Sequence, residues 1–108
     1  MGRKKKSRRI VEEFNTYFGA GTLQDWQRLC RDVGINGDLP SITQCRKALK
    51  TVHINIHDLV DAVMQGRQPQ RFPNVRQLVE YTISTRKFYP KNKIKEMGPV
   101  KALMRHIL

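Results

Sequence analysis

Four side chains in the centre of this sequence could bind a metal or act in catalysis: Cys30, Cys45, His53 and His57. A structural zinc site needs closely spaced ligand pairs that converge tetrahedrally. The two cysteines are instead fifteen residues apart, on the apolar faces of separate predicted helices, where cysteine usually packs as a small hydrophobic side chain. A cysteine and a histidine can form a nucleophile and its base, but no acid is placed to orient either histidine. We therefore predict no metal, no cofactor and no enzymatic activity.

The basic residues are concentrated at the two ends of the chain. The 108 residues include 21 Lys or Arg and 9 Asp or Glu, a net charge of +12. Residues 1–9 and residues 86–108 each carry +6, whereas the eight cations and eight acids of residues 10–85 balance. Such separated blocks of one sign predict a polyanionic partner, most often nucleic acid, because each neutralised phosphate releases a counterion.

The N-terminal segment GRKKKSRR has the composition of a short nuclear-import signal. Residues 1–8 are polar and charged, so we expect a disordered basic arm that packs against nothing. Its cations would make salt-sensitive contacts with phosphates; they are Arg3, Lys4, Lys5, Lys6, Arg8 and Arg9. The alternative is that this arm is simply a solvated tail.

A second basic segment follows the fifth predicted helix and contains the aromatic residues Phe88 and Tyr89. Aromatic side chains among cations can stack on bases while the cations hold the backbone. The alternative, which we favour, is that both aromatic side chains pack against the core. The cations of this segment would then contact phosphates or remain solvated; they are Arg86, Lys87, Lys91, Lys93 and Lys95.

The third predicted helix carries Arg46, Lys47 and Lys50 on the face opposite its apolar residues. A very short turn joins it to the fourth helix, so a helix-turn-helix motif is one interpretation. The acids Asp58 and Asp61 make the fourth helix a poor recognition helix for DNA. If the motif binds DNA, we expect the third helix to make the contact.

Apolar residues recur with helical spacing throughout the chain, and no segment alternates as a strand would. We predict an all-α fold: a compact helical domain over residues 9–108, with helices near 8–18, 23–33, 42–52, 56–64, 75–85 and 99–107. Side chains on the apolar faces of these helices should form the core: Phe14, Trp26, Leu29, Cys45, Leu49, Leu59, Val60, Leu78, Val79 and Leu103.

No apolar run approaches the length that spans a bilayer, and the basic start leads into an amphipathic segment. We therefore expect a soluble intracellular protein with no membrane partner. Two cysteines in a reducing compartment should remain free thiols.

The segment SITQCRKALKTVHINIHDLVDAV, residues 41–63, resembles a family of helical proteins from fungal genomes with no established activity. It shares their pattern S-I-x-x-C-(K/R)-K-x-L-K followed by V-(H/W)-(V/I)-N-(I/L)-x-D-L-V-D. The similarity extends to TLQDWQRLCRDVGI (22–35), VRQLVEYTISTRKFYPK (75–91) and the ending GPVKALMRHIL (98–108). The resemblance covers about residues 12–108 and implies a fungal source and a helical fold, but no reaction.

Together these features predict a small nuclear helical module that binds DNA, RNA or chromatin through phosphate contacts without base specificity. The alternative is a protein–protein adaptor in which the neutral helical body binds a partner and the basic arm serves only for nuclear import.

Overall fold

The computed structural model of the protein describes residues 8–104, and every regular element in that range is helical. The helices are α1 (Ile10–Phe18), α2 (Leu23–Asp32), α3 (Ile42–Leu49), α4 (Ile56–Met64), α5 (Val75–Thr85) and α6 (Pro99–Met104), with a 3₁₀ turn at Lys91–Lys93. The predicted all-α fold is confirmed. Within residues 8–104, no helix has the combination of length and apolar character needed to cross a membrane.

Side-chain caps define where four of the helices begin. Thr22 and Asp25 form a reciprocal capping box at α2, and Ser41 accepts a hydrogen bond from the Gln44 backbone N–H at α3. Asn55 and Asn74 cap α4 and α5 in the same way. These caps satisfy backbone N–H groups that the first helical turn leaves unpaired, so the local sequence fixes the helix starts.

The core lies where α2 packs on α3, α1 packs on α2 and α4, and α6 packs on α3. Nine of the ten predicted core residues are buried. The prediction is wrong for Val79, which is partly exposed because α5 buries only Leu78 and Thr82 of its eleven residues. Helix α5 lies at the periphery of the fold, and only part of its apolar face is buried.

The connection between α3 and α4 also belongs to the core. Val52 and Ile54 are almost completely buried there, as is Ile56 at the start of α4, although the predicted third helix extended to residue 52. The Phe72 backbone N–H donates to the His53 carbonyl at 2.9 Å, so the long loop before α5 is held against this connection.

Candidate nucleic-acid interface

Helices α3 and α6 flank a groove of about 400 Å³, which we call the basic groove. The cations that line it come from positions about fifty residues apart in the sequence, and the packing of α6 on α3 brings them together. The groove is lined by Thr43, Arg46, Lys47, Lys50, Glu96, Met97, Gly98, Lys101 and Ala102. The three cations predicted on the third helix therefore share one concave surface with Lys101.

The local sequence of both helices explains why the cations line this surface. In α3, Cys45 and Leu49 are fully buried, so the intervening positions face away from the core. In α6, Val100 and Leu103 are buried, and Lys101 between them lines the groove. Long basic side chains can cover apolar surface with their stems while their charged heads stay in water.

Arg46 is the most constrained cation of the basic groove. Its Nε donates to the Met97 carbonyl at 3.3 Å, and its guanidinium carbon lies 5.2 Å from the centre of the Trp26 ring. This cation–π contact links α3 to α2, while the hydrogen bond holds the segment that precedes α6. Arg46 is therefore both a structural link and a charged residue of the groove.

The three lysines of the groove, Lys47, Lys50 and Lys101, make no ion pair with any residue in the range 8–104. Glu96 is the one carboxylate among the residues that line the groove, and it makes no ion pair with the described residues either. An excess of positive charge on a concave surface attracts anions, because low-dielectric walls concentrate the field.

A second depression of about 520 Å³, which we call the aromatic cleft, adjoins the basic groove at Met97 and Gly98. Its lysines, Lys93 and Lys95, belong to the basic segment predicted from the sequence. The cleft is lined by Phe14, Asn15, Phe18, Gly19, Ala20, Gly21, Trp26, Tyr89, Lys93, Lys95, Met97, Gly98, Pro99 and Val100. The basic groove and the aromatic cleft thus form one continuous surface.

Two other predicted binding residues are engaged by acids of the protein itself. Arg8 forms ion pairs of 2.7 Å with both Glu13 and Asp61, and its Nη1 lies 3.4 Å from His57 Nδ1. The hydrogen bond from Arg8 lowers the pKa of the Glu13 carboxyl and raises the pKa of the guanidinium. The expectation that the arm packs against nothing is therefore wrong for Arg8, because α1 and α4 supply two carboxylates to it.

Lys87 is similarly engaged. Its Nζ donates to Asp58 Oδ1 and to the Tyr81 hydroxyl, both at 2.8 Å. The hydrogen bond to Asp58 raises the pKa of the ammonium group. Lys87 therefore joins α4 to the end of α5, and a phosphate would have to displace Asp58 to bind it.

Three other predicted cations, Arg9, Arg86 and Lys91, do not line this surface. Arg9 pairs with Glu12 at 3.3 Å in an exposed contact. Arg86 and Lys91 are exposed and line neither the groove nor the cleft. The cations Arg3, Lys4, Lys5 and Lys6 lie outside the described residues.

The two aromatic residues of the basic segment have different environments. Tyr89 is 6% exposed and lines the aromatic cleft, as the core-packing interpretation predicts. That interpretation is wrong for Phe88, whose side chain is 53% exposed. The backbone of Phe88 is nevertheless fixed, since His57 Nε2 donates to its carbonyl at 2.8 Å.

The cysteines have the environment of core residues. Both are buried free thiols: Cys30 Sγ donates to the Cys45 carbonyl at 3.7 Å, and Cys45 Sγ donates to the Leu39 carbonyl at 3.8 Å. Burial raises the pKa of Cys30 to about 12, which disfavours the nucleophilic thiolate. Over residues 8–104, no group of three or more His, Cys, Asp or Glu side chains could hold a metal ion.

Sequence reasoning missed Lys101 and the position of Trp26 beside the cations. Lys101 could have been noticed from its place between the buried Val100 and Leu103, but nothing in the sequence indicates that α6 packs on α3. The prediction that Trp26 belongs to the core is confirmed, and its contact with Arg46 depends on the tertiary packing of α2 against α3.

The chain matches no protein-family model, no curated protein and no solved structure. The resemblance to fungal helical proteins therefore stays a prediction, and the function must be inferred from the surface itself.

Proposed function

We propose that this protein binds nucleic acid through the basic groove, mainly by contacts between lysine side chains and phosphates. One observation carries the proposal: Lys47, Lys50 and Lys101 converge on one concave surface without a carboxylate partner in residues 8–104. Arg8 and Lys87, by contrast, are neutralised by acids within the fold. Unpaired cations keep their full interaction with an external polyanion.

The groove favours contact with a phosphate backbone over base readout by an inserted helix. Helix α3 packs between α2 and α6, and its cations share a groove with α6. Arg46, the side chain best suited to bidentate contact with guanine, is already bound to Trp26 and the Met97 carbonyl. The helix-turn-helix interpretation is therefore the less favoured mode.

The decisive experiment compares two triple variants that remove the same charge. Lys47→Ala/Lys50→Ala/Lys101→Ala removes three lysines of the basic groove, whereas Arg31→Ala/Arg67→Ala/Arg71→Ala removes three exposed cations outside it that form no ion pair with a described residue. Binding to labelled DNA and RNA is measured by fluorescence anisotropy over a range of salt concentrations. The groove variant should bind more weakly and lose about 0.7–0.9 of salt slope per lost phosphate contact.

An equal loss in both triple variants would show that net charge, not the groove, determines binding. The absence of detectable binding at low salt would reject the proposal altogether.

The contribution of the basic arm is tested separately by deleting residues 2–7, since a longer deletion would also remove the ion pairs of Arg8. We propose that the same arm directs the protein to the nucleus, and the deletion should reduce nuclear accumulation of a fluorescent fusion.

The adaptor hypothesis is supported by a separate observation. Met64, Ile83 and Phe88 are large apolar side chains that are more than half exposed, and none lines the basic groove. A protein partner could cover them. If partners co-purify from nuclease-treated cells as well as from untreated cells, and the groove variant retains them, the adaptor function is supported instead.

A further inference from the structure

Two side chains that line the aromatic cleft each carry a polar group that has no partner within residues 8–104. The Tyr89 hydroxyl and the Trp26 Nε1–H make no hydrogen bond with any described residue, although the two side chains are only 6% and 4% exposed. Neither atom is sealed from solvent. Both groups are therefore hydrogen-bond donors without an internal partner, and buried polar groups normally find one.

The shape of the cleft restricts what that molecule can be. Phe14 and Phe18 form part of its apolar wall, at 2% and 8% exposed, while the turn from Gly19 to Gly21 carries no bulky side chain. A volume of about 520 Å³ can hold a planar ring system of moderate size. The fitting occupant is a flat group with hydrogen-bond acceptors on its edge.

The charge of the cleft adds a second requirement. Lys93 and Lys95 line it, and no carboxylate is among its lining residues. Neither lysine forms an ion pair with a described residue. At Met97 the cleft continues into the basic groove with its three unpaired lysines. The occupant should therefore be a planar group attached to a chain of negative charges.

We propose that the aromatic cleft accepts an unpaired nucleobase, and that the protein consequently prefers single-stranded nucleic acid to duplex. This inference rests on the proposed function and specifies its substrate class. The base carbonyls and ring nitrogens accept hydrogen bonds from Tyr89 and Trp26, and the flanking phosphates bind Lys93, Lys95 and the basic groove. In a duplex these base edges are already paired and stacked, so entry would cost unpairing and unstacking.

Three ligands separate base insertion from simple phosphate binding. They are a labelled oligothymidylate of about 12 nucleotides, a duplex of the same length and an abasic deoxyribose-phosphate chain of the same length. The full-length protein should bind the oligothymidylate about tenfold more tightly than the abasic chain, because an inserted base adds hydrogen bonds and apolar contact that the abasic chain lacks. Trp26 is the one tryptophan in the sequence, so its emission should be quenched by the oligothymidylate and unchanged by the abasic chain.

Two variants assign the contacts. Tyr89→Phe removes one hydroxyl and preserves the ring, so it should weaken oligothymidylate binding about three- to tenfold and leave binding of the abasic chain unchanged. Lys93→Ala/Lys95→Ala should weaken binding of both ligands, because both carry phosphates. Thermal unfolding of each variant checks that the fold is retained.

The outcomes distinguish this inference from the proposed function. Equal affinity for the oligothymidylate and the abasic chain would overturn base insertion while leaving phosphate binding intact. An unchanged affinity in Tyr89→Phe, or duplex binding as tight as single-strand binding, would also overturn it. Tighter binding of a polyglutamate peptide of the same length would identify an acidic peptide as the occupant. No binding of any of the three nucleic-acid ligands would reject both proposals.

Discussion

The guanidinium carbon of Arg46 lies 5.2 Å from the centre of the Trp26 ring, at the boundary between the basic groove and the aromatic cleft. Trp26 lines the cleft and Arg46 lines the groove, so this single contact belongs to both. The same arginine holds the Met97 carbonyl, and Met97 lines both depressions. The arrangement fixes the segment that carries Lys93 and Lys95 relative to the lysines of α3.

Arg46→Lys should test this link, because it keeps the charge and removes the planar guanidinium. We expect the free energy of unfolding to fall by about 0.5–1 kcal/mol, since lysine cannot reproduce both the stacking and the Nε hydrogen bond. Urea denaturation followed by circular dichroism measures the change. Lys47→Ala, at an exposed position of the same helix, should alter stability by less than about 0.5 kcal/mol. Equal stability of both variants would show that the contact contributes nothing.

Asn55 should be the most sensitive polar residue of the fold. Its Oδ1 accepts from the backbone N–H groups of His57 and Asp58, and its Nδ2 donates to Thr82 Oγ1 and the Lys87 carbonyl. Asn55→Ala therefore removes a helix cap, one buried and one partly buried hydrogen bond, and should cost about 2–4 kcal/mol. Asn74→Ala removes an exposed cap alone and should cost about 1 kcal/mol. Chemical denaturation of both variants measures the difference, and a cost at Asn55 no larger than at Asn74 would contradict the prediction.

Asp25 should make stability sensitive to acid. Its pKa is lowered from an ordinary value of 3.8 to about 2, mainly by the hydrogen bond from the Thr22 backbone N–H and also by that from Arg28. A depressed pKa stabilises the folded state above the unfolded-state pKa, and this contribution disappears as the pH falls through the folded-state value. The wild type should therefore lose stability between about pH 4 and pH 2.

The matched variant is Asp25→Asn, which keeps an oxygen acceptor at the cap and removes the titrating group. Its stability should fall less over the same interval, as measured by urea midpoints at a series of pH values. Parallel curves for the wild type and the variant would show that Asp25 does not contribute to the acid sensitivity.

Arg86 ends α5 in the left-handed conformation, with φ of 59°, and it is the one non-glycine residue with positive φ among the residues described. Glycine is favoured at this position because it has no Cβ to clash. Arg86→Gly should raise stability by up to about 1 kcal/mol, reduced by the greater freedom of glycine in the unfolded chain. Arg86→Ala removes the same charge but keeps the Cβ, so it should give no gain. Thermal unfolding distinguishes the two, and an equal gain in both would attribute the effect to charge.

The helices of this protein were predictable because their signals are local. Hydrophobic spacing identified all six, and Thr22, Ser41, Asn55 and Asn74 marked four of the starts. A helix satisfies its hydrogen bonds within a few residues of sequence, so its pattern can be read without knowing the tertiary structure. The errors at Val79 and Phe88 occur where burial depends on which neighbours a peripheral segment finds.

The sequence by itself determined the helices, most of the core and the excess of positive charge at the two ends. Only the tertiary structure decided which cations are paired with acids of the protein itself. Arg8 meets Asp61 and Lys87 meets Asp58 across long separations in sequence, whereas Lys101 joins the cations of α3 without meeting an acid in residues 8–104. The physical reason is that a charge count records sign and number, while pairing requires two groups within about 4 Å, and that distance is set by how the helices pack.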